Sequence, residues 1–327
     1  MDTMNYIKKQ VTRALELNKK LVGLEDVITH IERAEYMLEM GDKDNDKHFY
    51  TDVIYRTNHA YEGILKEAYF ALTNNEDKKI TPNNIEKYLL DNKVLKERVI
   101  KLLENYRQEW RNTSTHDYRL FFNSGEAFSA ILSVTSFVHI LLNQINDNLY
   151  YLSEIERIEP LVTDIKKNFH VNYNSLNFIE KVKYLLKNYD GNLYKNPEDN
   201  KLSLLTESEF LNGIIAYINL LDIEMNIESE PIINRDSRLS PDLIISNKND
   251  DKVIVELKVL KKMRNIDNYD DYINQLLLYL TNSNIKQGIL FLLPRNINPD
   301  TVLEELTKAV HVGSEEYTIH IIFQKVN

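Results

Sequence analysis

The hydrophobic pattern of the chain changes near residue 150. Up to that point, apolar residues recur every three or four positions through long stretches that contain almost no Gly or Pro. A period of 3.6 residues is typical of amphipathic helices. It predicts an all-helical bundle with helices at residues 5–21, 24–40, 48–72, 81–89, 94–111 and 124–150. The last helix begins with Asn123 and Glu126, which are spaced as a reciprocal N-terminal cap.

The C-terminal part mixes helical periods with short apolar runs that are typical of strands. Helices are predicted at 203–222, 268–281 and 299–310, and strands at 226–233, 241–246, 252–259, 287–293 and 317–324. The less regular segment in between favours a helical connector with one helix at 174–189. We therefore predict an α+β chain with two domains: an all-α bundle at 1–150, a connector at 151–202 and an α/β domain at 203–327.

A β-hairpin predicted at 241–259 carries the first candidate site. Its turn formers at 247–251 are expected to pair Ser246 with Lys252, which places Asp242 opposite Glu256. The alternate positions of both strands are apolar and are expected to pack on a core, so Asp242, Glu256 and Lys258 share the other face. Opposed carboxylates lie about 5 Å apart and repel each other. A divalent cation such as Mg²⁺ would offset that repulsion.

The residues Pro241-Asp242, the hairpin and Glu256-x-Lys258 resemble the signature of the PD-(D/E)xK nuclease superfamily. The resemblance implies a phosphodiesterase in which Asp242 and Glu256 bind Mg²⁺ or Mn²⁺, with the Leu257 carbonyl between them. It also implies that Lys258 activates the attacking water. The alternative interpretation is an ordinary edge hairpin with a charged, solvated face.

The helix predicted at 268–281 adds a second motif. Gln275 and Tyr279 are four residues apart and are therefore neighbours on the helix surface. This Gln-x-x-x-Tyr pattern after the Glu-x-Lys strand resembles the RecB-like branch of the superfamily. The resemblance implies that both side chains steady Lys258 or contact a phosphate; the alternative is an amphipathic helix with a polar flank.

The helix predicted at 203–222 resembles the superfamily helix that lends a glutamate to the site. Glu207 lies on the face that is expected to dock against the sheet, and we favour it as the residue that orients water or metal. Glu209 is better explained as the partner of Thr206 in a capping box. The choice between the two glutamates stays open at this point.

The helical domain contains the second candidate site, Arg111-Asn112 with His116, between its last two predicted helices. Arginine followed after a short spacing by histidine resembles the motif of the HEPN superfamily, and Glu62 lies in a helix similar to its long second helix. The resemblance implies a metal-independent ribonuclease, with two copies of the motif meeting across a dimer. His116 would move the proton and Arg111 would stabilise charge on the phosphate. The alternative is a histidine at a helix end beside a salt bridge.

Composition narrows the compartment and the partners. With 327 residues, 43% hydrophobic and 28% charged, the chain resembles an ordinary soluble globular protein. It has no cysteine, which excludes disulfides and thiolate zinc sites and favours the cytoplasm. We expect neither a signal peptide nor a membrane span. A net charge of −10 argues against non-specific coating of nucleic acid, although a basic run follows the hairpin: Lys258, Lys261, Lys262 and Arg264.

Together, the two resemblances imply a defence function against phages. The leading hypothesis is a metal-dependent nuclease that cleaves DNA, with a HEPN domain that forms a homodimer or higher homo-oligomer and adds cleavage of RNA. In the second hypothesis the HEPN ribonuclease is a toxin and the C-terminal domain senses nucleic acid. In the third, the chain is a non-catalytic assembly or binding protein.

Overall fold

The computed structural model describes residues 3–75, 79–112, 121–169, 173–189, 207–234, 238–260, 269–294 and 303–324. The chain divides into two compact units, Met1–Tyr150 and Tyr151–Asn327. The described part of the first unit is helical, and the second unit combines helices with a six-stranded mixed sheet. The protein therefore belongs to the α+β class, and residues 151–189 of the expected connector are counted with the second unit.

The described part of the first unit contains six α-helices, close to the predicted positions. They are α1 (Thr3–Leu17), α2 (Gly23–Asp44), α3 (Lys47–Thr73), α4 (Pro82–Asp91), α5 (Glu97–Tyr106) and α6 (Ser124–Ile158), and a π-helical turn, Arg107–Arg111, continues α5. The predicted cap of α6 is present: the Glu126 N–H donates to Asn123 Oδ1 at 2.9 Å, and the Asn123 N–H donates to Glu126 Oε2 at 2.8 Å. Aromatic rings of Tyr61, Tyr106 and Phe137 stack in the core.

One helical stretch of the described chain, Ser124–Lys167, is long and apolar enough to cross a membrane, with a mean hydropathy of 1.5. Its side chains Val134, Phe137, Leu141 and Ile145 are fully buried in the core of the first unit. The core helix of a soluble protein has the same length and composition. The stretch is therefore weak evidence for a membrane span and is consistent with a soluble protein.

The second unit orders its six strands as β1-β2-β3-β4-β6-β5. The β3–β4 and β4–β6 pairs are parallel, and the other neighbours are antiparallel. The strands are β1 (Asn226–Ser229), β2 (Leu243–Ser246), β3 (Lys252–Leu260), β4 (Gln287–Pro294), β5 (Leu303–Val312) and β6 (Glu315–Gln324), and the helices are α7 (Val162–Lys167), α8 (Phe178–Asn188), α9 (Glu207–Leu221) and α10 (Asp270–Ser283).

The hairpin register predicted from the sequence is confirmed, because Ser246 pairs with Lys252 and Ile244 with Ile254. The central strands are buried on both faces. On one face, α10 packs its apolar side chains, including Leu276 and Leu280, in the same core as Ile254. The alternate side chains are also buried: Leu243, Ile245, Val253, Val255 and Leu257. Parallel neighbours and helical cover explain why these strands are almost continuously apolar.

The helix predicted at 299–310 is wrong for its described part, because Leu303–Val312 forms β5. This strand pairs antiparallel with β6 along its whole length, from Leu303 opposite Gln324 to Val312 opposite Glu315. The hydrogen bonds that β5 makes with the sheet edge stabilise the strand more than the helical spacing of its apolar residues would stabilise a helix. The missed signal is Gly313-Ser314, a two-residue hairpin loop whose glycine has a φ of 62°.

Substitution of Gly313 tests this hairpin. At a φ of 62° a Cβ atom is strained even though it would meet no neighbouring atom. We expect Gly313→Ala to lower the free energy of unfolding by about 1 kcal/mol. Urea denaturation followed by circular dichroism measures the change, with Ser314→Ala as the matched control in the same loop. Equal stability of the two variants would contradict the turn geometry.

A charge cluster ties α8 to the edge of the sheet. Lys183 is 6% exposed, and its ammonium contacts Glu305 Oε1 on β5 at 2.7 Å. Lys187 contacts the second oxygen of the same carboxylate. Burial would raise the pKa of Glu305, but the two lysines outweigh it and hold the pKa at about 2. The ion pairs therefore make α8 part of the sheet unit, although the sequence predicted it as part of a connector.

Candidate active site

Four segments of the second unit meet at one end of the β2–β3 hairpin. Each contributes polar side chains that were singled out from the sequence. They are Asp242 just before β2, Glu256 and Lys258 on β3, Glu207 at the start of α9, and Gln275 and Tyr279 on α10.

Lys258 lies at the centre of the cluster. Its Nζ is 2.9 Å from Glu256 Oε1, 3.3 Å from Glu207 Oε1 and 3.9 Å from Asp242 Oδ2. The lysine side chain is 16% exposed, that of Asp242 22% and that of Glu207 42%. One ammonium is thus shared by three carboxylates in a partly buried site that remains open to solvent on the side of Glu207.

Backbone amides fix the carboxylates. The Leu257 N–H donates to Asp242 Oδ2 at 2.7 Å, and the Asp242 N–H donates to Glu256 Oε2 at 3.3 Å. The Val259 N–H donates to Glu207 Oε2 at 3.1 Å. Asp242 and Glu256 therefore join the start of β2 to the middle of β3, and Glu207 joins α9 to β3 at the candidate site.

Gln275 and Tyr279 complete the cluster from α10. Gln275 Nε2 donates to Glu256 Oε1 at 2.9 Å and to the Tyr279 hydroxyl at 2.7 Å. Tyr279 is 7% exposed and belongs to the apolar core beneath the helix. Its ring is therefore more deeply buried than a side chain on the polar flank of an amphipathic helix. The motif thus holds the Glu256 carboxylate, and Lys258 contacts the same carboxylate oxygen.

The electrostatics of the site favour an additional positive charge. Burial, followed by the charge of Glu256, raises the pKa of Asp242 to about 7. Burial also raises the pKa of Glu256, although Lys258 opposes the shift. Burial would lower the pKa of Lys258, but the carboxylates of Glu256 and Asp242 outweigh it and the pKa is raised. A single ammonium therefore does not compensate the buried negative charge.

The described residues contain no group of three or more His, Asp or Glu side chains arranged to hold a metal ion. Asp242, Glu256 and the Leu257 carbonyl offer oxygen atoms only, which suits a hard cation. Mg²⁺ commonly takes one or two carboxylates and completes its shell with water and phosphate oxygens. The donor set therefore fits Mg²⁺ better than a metal that needs a full protein cage.

The first unit holds a different polar cluster at the end of the π-helical turn. Arg111 Nε donates to Glu62 Oε1 at 3.3 Å, and its Nη1 lies 3.7 Å from Glu86 Oε1. Arg107 Nη1 and the Tyr61 hydroxyl also donate to Glu86, at 3.4 and 3.1 Å. The sequence analysis missed Glu86, which is 1% exposed; two arginines four residues apart were the signal that a buried acid lies between them.

Some residues singled out from the sequence have other positions, and several lie outside the described residues. Asn112 is an exposed residue that follows Arg111 at the end of the helical turn. His116 lies outside the described residues, as do Thr206 and the basic residues Lys261, Lys262 and Arg264. Glu209 is buried on α9, whereas Glu207 makes the contacts with Lys258.

Fold and site together define an α+β protein whose sheet unit surrounds one lysine with three carboxylates. Comparison of the chain with models of protein families, with curated proteins and with solved structures found no match. The chemistry of the cluster is therefore the basis for any functional assignment.

Proposed function

We propose that the second unit is a metal-dependent nuclease of the PD-(D/E)xK superfamily, of its RecB-like branch. The observation that carries the proposal is the convergence of the Asp242, Glu256 and Lys258 side chains on one point. The element order α9-β1-β2-β3-α10-β4, with β3 and β4 parallel, supports it because that superfamily has a helix, three strands, a helix and a strand in this order. Gln275 and Tyr279 support the branch.

Asp242, Glu256 and the Leu257 carbonyl would hold Mg²⁺ or Mn²⁺, and Glu207 at the rim would orient the metal or a water bound to it. When bound, such a cation polarises a phosphoryl oxygen and lowers the pKa of a coordinated water. Lys258, kept protonated by its carboxylate neighbours, stabilises negative charge that develops on the phosphate or the attacking water.

The remaining residues position these groups. Glu207 holds Lys258 through Oε1 and the β3 backbone through Oε2, which fixes the direction of the ammonium. Gln275 fixes the Glu256 carboxylate, and the buried Tyr279 hydroxyl fixes Gln275. We propose DNA as the substrate, a cytoplasmic role in antiphage defence and a homodimer formed through the helical unit.

Cleavage of DNA by the full chain tests the proposal. Linear double-stranded, single-stranded and supercoiled DNA are incubated with the protein in Mg²⁺, in Mn²⁺ and in EDTA. We expect cleavage of at least one DNA with either metal and none in EDTA. Cleavage that persists in EDTA, or no cleavage of any of the three forms, would refute a metal-dependent DNA nuclease.

A second candidate function, a HEPN-like ribonuclease in the first unit, is favoured by the cluster around Arg111. The buried Glu86 and the neighbouring Glu62 fix the position of this arginine at a helix end. A residue that binds phosphate during a reaction has to be oriented in this way. We expect cleavage of RNA in EDTA that His116→Ala abolishes and His311→Ala, at an exposed histidine on β5, leaves unchanged. Absence of both activities would favour the third hypothesis, a non-catalytic assembly or binding protein.

A further inference from the structure

Two adjoining cavities lie beside the C-terminal end of α9, away from the candidate active site. Their volumes are about 490 and 520 Å³, and both are lined by Lys181, Asp222 and Glu224. Because they share these lining residues, the two cavities are neighbours, and together they are called the groove; it lies between the segment around α8 and the β2–β3 loop. The α9 helix has 15 residues and begins at Glu207, so the groove lies about 22 Å from the candidate active site along the helix.

The acidic side chains of the groove are already engaged. Asp222 Oδ2 accepts a hydrogen bond from the Tyr173 hydroxyl at 2.7 Å, and Asp222 Oδ1 accepts one from the Glu224 N–H at 3.0 Å. Glu224 pairs with Lys248 at 3.0 Å. Asp251 Oδ2 accepts a hydrogen bond from Asn247 Nδ2 at 2.8 Å. Neutral donors of the groove therefore hold Asp222 and Asp251, and Lys248 neutralises Glu224.

Two lysines of the groove remain available to a ligand. Lys166 and Lys181 line the first cavity, and neither forms an ion pair with another residue in the part of the chain that the structure describes. Lys181 Nζ lies 5.2 Å from the centroid of the Tyr173 ring. Two lysines that have no ion pair in the described structure thus lie beside an aromatic surface.

Aromatic rings form the wall next to these lysines. Phe169 and Tyr173 are half-buried cavity residues whose ring centroids are 5.3 Å apart. The Tyr184 ring packs against Phe169 in an edge-to-face contact, with 5.0 Å between the ring centroids. Proteins that bind single-stranded nucleic acid stack the bases on fixed aromatic rings, and nearby lysines neutralise the phosphates. The rings and lysines of the groove are arranged in the same way.

We propose that this groove binds nucleotide units, with a base against Phe169 and Tyr173 and phosphates at Lys166 and Lys181. Its first cavity has the volume of a small-molecule site, and the adjoining second cavity extends it to a further unit. The nucleotide comes from a single-stranded nucleic acid or from the free nucleotide pool, because both carry the same chemistry. The proposal goes beyond the cleavage reaction and does not depend on it.

Binding in EDTA tests the groove without any cleavage. Fluorescence anisotropy of a fluorescein-labelled dodecathymidylate is measured for the full chain and for the double variant Lys166→Gln/Lys181→Gln. We expect the double variant to bind roughly tenfold more weakly at 0.1 M salt, and the slope of log K against log salt to fall by about 1.4, as the loss of two contacts with single-strand phosphates requires. Lys167→Gln, an exposed neighbour outside both cavities, is the matched control.

Two further arms separate the sources and the base contact. Unlabelled 5′-AMP and unlabelled dodecathymidylate each compete with the labelled probe. Displacement by both at similar concentrations assigns the groove to free nucleotides, and displacement by the oligonucleotide alone assigns it to a strand. Phe169→Leu keeps an apolar side chain without a ring and is expected to weaken binding several-fold. Equal affinity and equal salt slope of the lysine double variant and the native chain, or no binding of either probe, would overturn the proposal.

Discussion

Lys258→Met is expected to reduce Mg²⁺-dependent DNA cleavage by about 10²- to 10³-fold, the loss usual when one group that stabilises developing charge is removed. Methionine has a similar length without the ammonium that lies 2.9 Å from Glu256 and 3.3 Å from Glu207. Initial rates of cleavage at saturating Mg²⁺ measure the effect. The loss is expected in kcat rather than in KM, because the lysine acts on charge that develops during the reaction.

Two comparisons separate chemistry from folding in that experiment. Lys252→Met removes a lysine from the same strand, where it pairs with the exposed Asp250, and is expected to leave cleavage unchanged. Lys258→Arg keeps a positive charge among the three carboxylates and should preserve thermal stability, but a planar guanidinium cannot take the place of the compact ammonium. Full activity of Lys258→Met in a folded protein would refute the assigned role.

The sequence was most informative where local rules and packing agree. At the β2–β3 hairpin, the two apolar strands and the turn formers between them determine the register, and the register brings Asp242 opposite Glu256. The helices of the first unit were predictable for the same reason, since each has one apolar stripe and little Gly or Pro. Site residues on these elements were therefore predictable before any contact was known.

Features that depend on distant partners could not be predicted in this way. The β5 strand exists because β6 offers it a hydrogen-bonding edge, and its own residues are spaced equally well for a helix. Glu86 becomes important only when α4 brings it to Arg107 and Arg111. The groove that we propose to bind nucleotides combines residues from α8, the end of α9 and the β2–β3 loop, which no sequence window contains together.

Asp242→Asn is expected to abolish cleavage and, in EDTA, to stabilise the protein. Burial and the neighbouring Glu256 raise the pKa of Asp242 to about 7, which means that the folded state disfavours its charge. Asparagine removes the charge and keeps an oxygen that can accept the Leu257 N–H. At pH 8 we expect the free energy of unfolding to rise by about 2 to 4 kcal/mol. The native protein is less stable by this amount because it keeps the charged Asp242 in its site.

The dependence on pH and metal distinguishes this explanation from improved packing. A carboxyl whose pKa is raised on folding stabilises the fold fully below its unfolded pKa near 3.8, and this contribution is lost as the pH rises through 7. The advantage of Asp242→Asn in EDTA should therefore grow between pH 4 and pH 8, whereas Asp250→Asn, at an exposed carboxylate of the same hairpin, should show no such trend.

Addition of Mg²⁺ should narrow the difference in stability between the two proteins. A cation that binds the folded state raises the melting temperature of the native protein progressively with the ratio of its free concentration to its Kd, and loss of one of two carboxylate ligands removes most of that gain. Thermal unfolding of both proteins across a Mg²⁺ series measures the difference. If Asp242→Asn is less stable than the native chain in EDTA, the two carboxylates do not repel each other. If Asp242→Asn gains as much stability from Mg²⁺ as the native chain, the two carboxylates do not share an ion.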